Sequence, residues 1–81
     1  MPLVFRDGTF RVFFYSNEGR PREPLHVHVR SGANEAKIWL EPDIAVAGSY
    51  GFNARTLGEI VAMIAARRDE IEEAWHGYFG D

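Results

Sequence analysis

Two histidines one residue apart, His26 and His28, stand in the segment Pro24-Leu25-His26-Val27-His28-Val29. Side chains of an extended strand alternate between its faces. His26 and His28 therefore share one face, while Leu25, Val27 and Val29 point into a core. Imidazole exchanges a proton near neutral pH, so a paired set is where this chain could do chemistry. One form is metal-free RNA cleavage. One imidazole would take the 2′-hydroxyl proton, the other would protonate the leaving oxygen, and Lys37 or an arginine would stabilise the charge at phosphorus. Tyr15, Phe13 and Trp39 are the rings that could hold a base, with Arg30 beside them. Two histidines on one strand sit about 7 Å apart at Cα and do not flank a phosphorus in line. Glu18, on a neighbouring loop, is a candidate for one of the proton-transfer roles.

Two other readings use the same residues. A His-x-His pair supplies two nitrogen ligands, but zinc needs at least a third from the protein. Glu18, Glu23 and Glu35 are available, none at a diagnostic spacing, and a neighbouring Lys37 would repel a cation. No metal or cofactor is expected, and His26 and His28 are ligands only on that alternative. The third reading is structural: His26 against Trp39 is an ordinary cross-strand contact worth ~0.2–1 kcal/mol, and Arg30 with Glu35 an ordinary surface pair.

The positioning elements can be read from turns and periodicity. Asp7-Gly8 lies between two apolar segments and signals a hairpin. With these two as the turn, Arg6 faces Thr9, Phe5 faces Phe10 and Leu3 faces Val12. Leu3, Phe5, Phe10, Val12 and Phe14 then form a core face. Residues 16–24, with Asn17, Gly19, Pro21 and Pro24, read as a loop. Ser31-Gly32-Ala33-Asn34 is a turn into a further strand, placing Arg30 opposite Glu35, His28 opposite Lys37 and His26 opposite Trp39. Ala36, Ile38 and Leu40 join the core. Residues 44–47 read as a short fifth strand and 48–51 as a connection. The second sheet face is expected to present Arg11, Phe13, Tyr15, His26, His28, Arg30, Glu35, Lys37 and Trp39.

Helical spacing follows in Leu57, Ile60, Val61, Ile64, Ile71, Trp75 and Tyr78. Asn53 and Thr56 are rival N-caps. The polar run Arg67-Arg68-Asp69-Glu70 is a place to bend or break, and Gly80 a stop. The expected fold is α+β: one domain over residues 1–81, with an antiparallel sheet of four to five strands (residues 2–47). One long or two consecutive C-terminal helices (residues 54–79) pack on that sheet.

Of the 81 residues, 46% are apolar and 14% aromatic, the signature of an ordered, packed domain. Cysteine is absent, which excludes disulfides and thiolate metal sites. The net charge of −3 divides unevenly: residues 1–40 carry six basic and four acidic side chains, residues 41–81 three and eight. A uniformly basic nucleic-acid binder is excluded, while a local basic surface in the first half is not. The start, Met1-Pro2-Leu3-Val4-Phe5-Arg6, lacks a basic leader and an apolar run, and no stretch is long enough to span a bilayer. No membrane association and a cytoplasmic location are the expectations. Ile60-Val61-Ala62-Met63-Ile64-Ala65-Ala66 is apolar on every side. The 57–66 helix is accordingly expected to meet a protein partner or a second copy, unless its alanines simply favour helix on a solvated side.

Several segments together carry a resemblance. They are Val4-x-Arg6, Phe13-Phe14-Tyr15-Ser16-Asn17-Glu18-Gly19, Glu23-Pro24-x-His26-Val27-His28-Val29, Glu35-Ala36-Lys37-Ile38-Trp39-Leu40, Tyr50-Gly51-Phe52 and Glu73-Ala74-Trp75-His76-x-Tyr78-Phe79. The chain resembles, over nearly its whole length, the bacterial family called domain of unknown function 4160. The resemblance implies a small bacterial protein similar to toxin–antitoxin components, with no established catalytic residues to carry over. The expected function is therefore a toxin–antitoxin-like module acting through a partner protein, with RNA as candidate ligand. Its working face would hold His26, His28 and Lys37, flanked by Tyr15, Glu18, Arg30 and Trp39. An interaction or regulatory domain using its helix is the alternative, and a His-based metal-binding protein the third.

Overall fold

A computed structural model describes residues 2–16 and 23–80. Five strands, β1 (Leu3–Asp7), β2 (Phe10–Phe13), β3 (His26–Ser31), β4 (Asn34–Trp39) and β5 (Ala45–Tyr50), form one antiparallel sheet in the order β1-β2-β3-β4-β5. Two helices follow, α1 (Ala54–Ala66) and α2 (Arg68–Phe79). The fold is α+β, with each strand beside its neighbour in sequence.

Alternation sorts the strands as expected. Val12, Phe14, Val27, Val29, Ala36, Ile38 and Leu40 are buried on one face, where Ile60 and Ile64 of α1 and Ile71 and Trp75 of α2 close the core. Each fully buried branched aliphatic contributes roughly 1.5–3 kcal/mol. Helix α1 begins at Asn53, whose Oδ1 accepts from the Thr56 N–H at 2.8 Å, so Asn53 prevails over Thr56 as cap. The chain breaks at Arg67, which leaves the helical region (φ −116°, ψ 24°), and two helices result. Gly80 ends α2 in the left-handed conformation. The outer side of α1 is Ala62, Ala65 and Ala66, all exposed.

Three sequence expectations are corrected. The first hairpin turns at Gly8-Thr9, not Asp7-Gly8: Asp7 pairs with Phe10, Arg6 with Arg11 and Phe5 with Val12. Gly8 takes φ 59°, a conformation glycine enters without Cβ strain. Second, a bulge between Leu3 and Phe5 puts Leu3 opposite Phe13. Leu3 is thereby moved from the core face to the other one, half exposed. Third, the fifth strand runs from Ala45 to Tyr50, through the segment read as a connection, and pairs along the whole of β4 with a bulge of its own. The β3–β4 register agrees with the sequence reading at every pair named: Arg30 with Glu35, His28 with Lys37, His26 with Trp39.

Candidate functional site

The second face of the sheet can be built row by row from the pairings. One row crosses from His26 through Trp39 to Ala45. The next crosses Leu3, Phe13, His28, Lys37 and Gly48. The third crosses Arg6, Arg11, Arg30, Glu35 and Tyr50.

The structure brings His26 and His28 together, with ring centroids 5.3 Å apart and planes nearly perpendicular. It does not leave both open, which corrects the picture of two imidazoles standing out from the sheet. His26 is fully buried. Its ring lies edge-on to Trp39 of β4 at 5.4 Å and to Trp75 of α2 at 5.3 Å. The entry to β3 is pinned nearby: the Leu25 N–H donates to Glu41 Oε1 at 3.2 Å and the Leu25 carbonyl accepts from Leu40 N–H at 2.8 Å. His26 Nδ1 lies 2.9 Å from the Pro24 carbonyl oxygen. A carbonyl only accepts, so Nδ1 carries the proton and donates. Packed between two indoles, this imidazole is a fixed part of the sheet end.

His28 is 7% exposed and occupies the middle row. It stacks on Phe13 (5.6 Å, 22°) and takes the edge of Tyr15 (4.6 Å). Its Nδ1 lies 3.7 Å from Glu35 Oε2, while Glu35 Oε1 accepts from Arg30 Nη2 at 2.6 Å and Nε at 3.1 Å. Glu35 is thus shared between an arginine and an imidazole. Its hydrogen bond and its negative charge hold the Arg30 guanidinium above the ordinary arginine value. Lys37 donates to Glu23 Oε1 at 3.1 Å and lies 4.4 Å from the centre of the Trp39 ring, a cation–π distance.

Beside this network is a shallow hollow of about 280 Å³, lined by His28, Glu35, Ala36, Lys37, Gly48, Ser49 and Tyr50. Gly48 leaves the side-chain position opposite Lys37 empty, and Tyr50 stands at the rim, 74% exposed. Of the residues expected at the site, His28, Lys37, Arg30, Tyr15, Trp39 and the buried His26 fall on one contiguous face. Glu18 lies outside the described residues. Among the described residues no three His, Asp or Glu side chains converge as a metal-binding set, so His26 and His28 find no third ligand there. No helix of the described residues is long and apolar enough to cross a membrane.

Two contributors are not legible in the sequence: Tyr50 and Gly48 read there as part of a connection. Arg6 reads as facing Thr9, whereas the true register sets it opposite Arg11, itself opposite Arg30. The available signal was Arg6, Arg11 and Arg30 at matching strand parity, legible only once the turn is placed at Gly8-Thr9.

No curated protein and no solved structure matches the chain. A family model does match, over residues 9–76 of the 81, which spans β2 to α2 and every residue of the hollow. The chain belongs to the family described as domain of unknown function 4160.

Proposed function

We propose that the chain is a toxin–antitoxin-like module whose second sheet face binds single-stranded RNA, and that it holds the strand rather than cutting it. One observation carries this reading: the hollow lined by His28 and Lys37 has the exposed Tyr50 at its rim, and Arg30 stands in the same row as Tyr50, across Glu35. Basic side chains that follow a backbone and rings that stack bases are the two parts of a single-strand platform. In-line cleavage would need an acid and a base that both reach the phosphate. His26, sealed under Trp39 and Trp75, reaches none, which leaves one imidazole near the surface. Lys37 would meet phosphate, Tyr50 a base, and His28 would support the floor. Tyr15 and Trp39 hold those groups in place. The partner protein would lie on the exposed Ala62, Ala65 and Ala66 side of α1, away from the RNA.

Fluorescence anisotropy with a labelled RNA oligonucleotide tests the reading. Wild-type protein is expected to bind with an affinity that falls as salt rises. Lys37→Ala should flatten that dependence by about one unit of slope. Tyr50→Ala should weaken binding by roughly the ~1–3 kcal/mol of one stacked base. The RNA should be recovered intact. Wild-type protein that does not bind RNA, or RNA cleavage lost in His28→Ala, would overturn the proposal.

A further inference from the structure

The third row holds two cations that the network above does not use. Arg6 on β1 and Arg11 on β2 are directly opposed in the register. Residues so opposed have Cα atoms about 4.5–5.5 Å apart, so two guanidiniums share one patch of surface. The ion pairs of the described residues engage Arg30, Lys37, Arg67 and Arg68 and leave Arg6 and Arg11 out. Like charges set directly opposite each other destabilise a sheet. The next arginine in the row, Arg30, is tied to Glu35, the row's one carboxylate. Among the described residues, two positive charges therefore stand together without a counter-charge.

The bulge in β1 completes the arrangement. By turning Leu3 onto this face, it sets an apolar pair, Leu3 and Phe13, beside the cationic pair. Leu3, Arg6, Arg11 and Phe13 enclose a cleft of about 200 Å³, separate from the hollow at His28. One end is doubly positive and the other apolar. A ligand that matches must carry about two negative charges on a compact group attached to an organic portion. A phosphate monoester does so, with close to −2 at neutral pH. A phosphodiester carries a single charge and would leave one guanidinium unmatched. Arginine's planar fork suits phosphate oxygens in pairs.

We infer that the Arg6–Arg11 cleft is a phosphate-monoester subsite, which on an RNA strand selects a phosphorylated end. The inference rests on the reading of this face as an RNA surface and names the part of the RNA that it takes.

The test compares oligonucleotides of one sequence ending in a 5′-phosphate, a 3′-phosphate or hydroxyls only. One phosphorylated form is expected to bind at least about tenfold more tightly than the hydroxyl-ended one, the worth of one charge-assisted hydrogen bond. Arg6→Gln and Arg11→Gln should each remove that advantage, so that phosphorylated and hydroxyl-ended RNA bind either variant equally. A second arm uses no RNA. Phenyl phosphate is titrated into labelled protein while the Arg6 and Arg11 side-chain N–H resonances are followed. They should shift, and phenol should not reproduce the shift. Equal affinity for all three RNAs together with unmoved arginine resonances would overturn the subsite and leave the RNA surface standing. Resonances that shift with phenyl phosphate while no RNA binds would support the subsite and remove the RNA reading. An advantage that survives both glutamine variants would place the phosphate elsewhere and overturn the assignment.

Discussion

Truncating His26 separates a structural imidazole from a chemical one. The His26 ring is fully buried, in contact with Trp39, Trp75 and His28, and its Nδ1–H donates to Pro24. His26→Ala removes these ring contacts and opens a cavity between two indoles that cannot both close over it. Core truncations cost about 2–5 kcal/mol, and a lost neutral hydrogen bond about 1 kcal/mol. A loss of about 3 kcal/mol follows for a ring smaller than phenylalanine. An 81-residue domain has roughly 4–12 kcal/mol in all, so most of the molecules should still fold at 25 °C. At about 4–8 °C per kcal/mol for a chain this size, Tm should fall by roughly 12–24 °C. His26→Phe keeps most of the volume but leaves the Pro24 carbonyl without its donor, and should cost about 1–2 kcal/mol. Urea unfolding followed by tryptophan fluorescence reads both variants, because Trp39 and Trp75 flank the site. His28→Ala should cost about half as much as His26→Ala. If His26→Ala unfolds within about 0.5 kcal/mol of the parent yet abolishes RNA binding, the ring acts at the surface, and its assignment to the scaffold is wrong.

Two further perturbations test the face and its support. Arg11→Gln removes the central like-charge opposition of the third row, between Arg6 and Arg30. It should raise stability by a few tenths to ~1 kcal/mol in low salt, measured by thermal melts, with the gain shrinking as salt rises. Gly51 adopts φ 90° at the end of β5, and a Cβ there would press into the Asn34 side chain. Gly51→Ala should cost about 1–3 kcal/mol in chemical denaturation and disturb Tyr50 beside it, weakening RNA binding as well.

The β3–β4 hairpin was legible residue by residue. Alternation is strict on both arms, and the Ser31–Asn34 turn leaves one register that buries Ala36, Ile38 and Val29 together. The first hairpin was legible in its faces but not in its pairing. Moving the turn from Asp7-Gly8 to Gly8-Thr9 changes every partner while preserving strand parity, so Phe5 and Val12 stay in the core either way. What changes is the second face, where Arg6 acquires Arg11 instead of Thr9. β5 was only partly legible because Ala45-Val46-Ala47-Gly48-Ser49 has little intrinsic strand preference. The free edge of β4 supplies the order that the local sequence lacks, and all six β5 residues remain exposed. The burial of His26 was not legible either. It depends on Trp75 of α2 reaching the sheet end, and helical spacing places Trp75 in the core without saying which strand residue it covers.

The three rows form a gradient that decides where a ligand can sit. At the His26 end the face is closed by Trp39 and Trp75. In the middle row, Phe13 is 1% exposed beneath the cationic Arg30, and His28 only slightly more open. Charge and exposure concentrate in the outer row, from Arg6 to Tyr50, and at Lys37 of the middle row, where the polar groups keep their water and can exchange it for phosphate. The histidine pair that first draws the eye therefore supports the site more than it performs in it. A rigid ring cluster fixes the strands, and the fixed strands hold cations and Tyr50 at set spacings, which preorganises the outer row for a ligand. On this account, changes at the ring cluster should move stability and affinity together. Changes in the outer row should move affinity alone, or in opposition to stability as for Arg11.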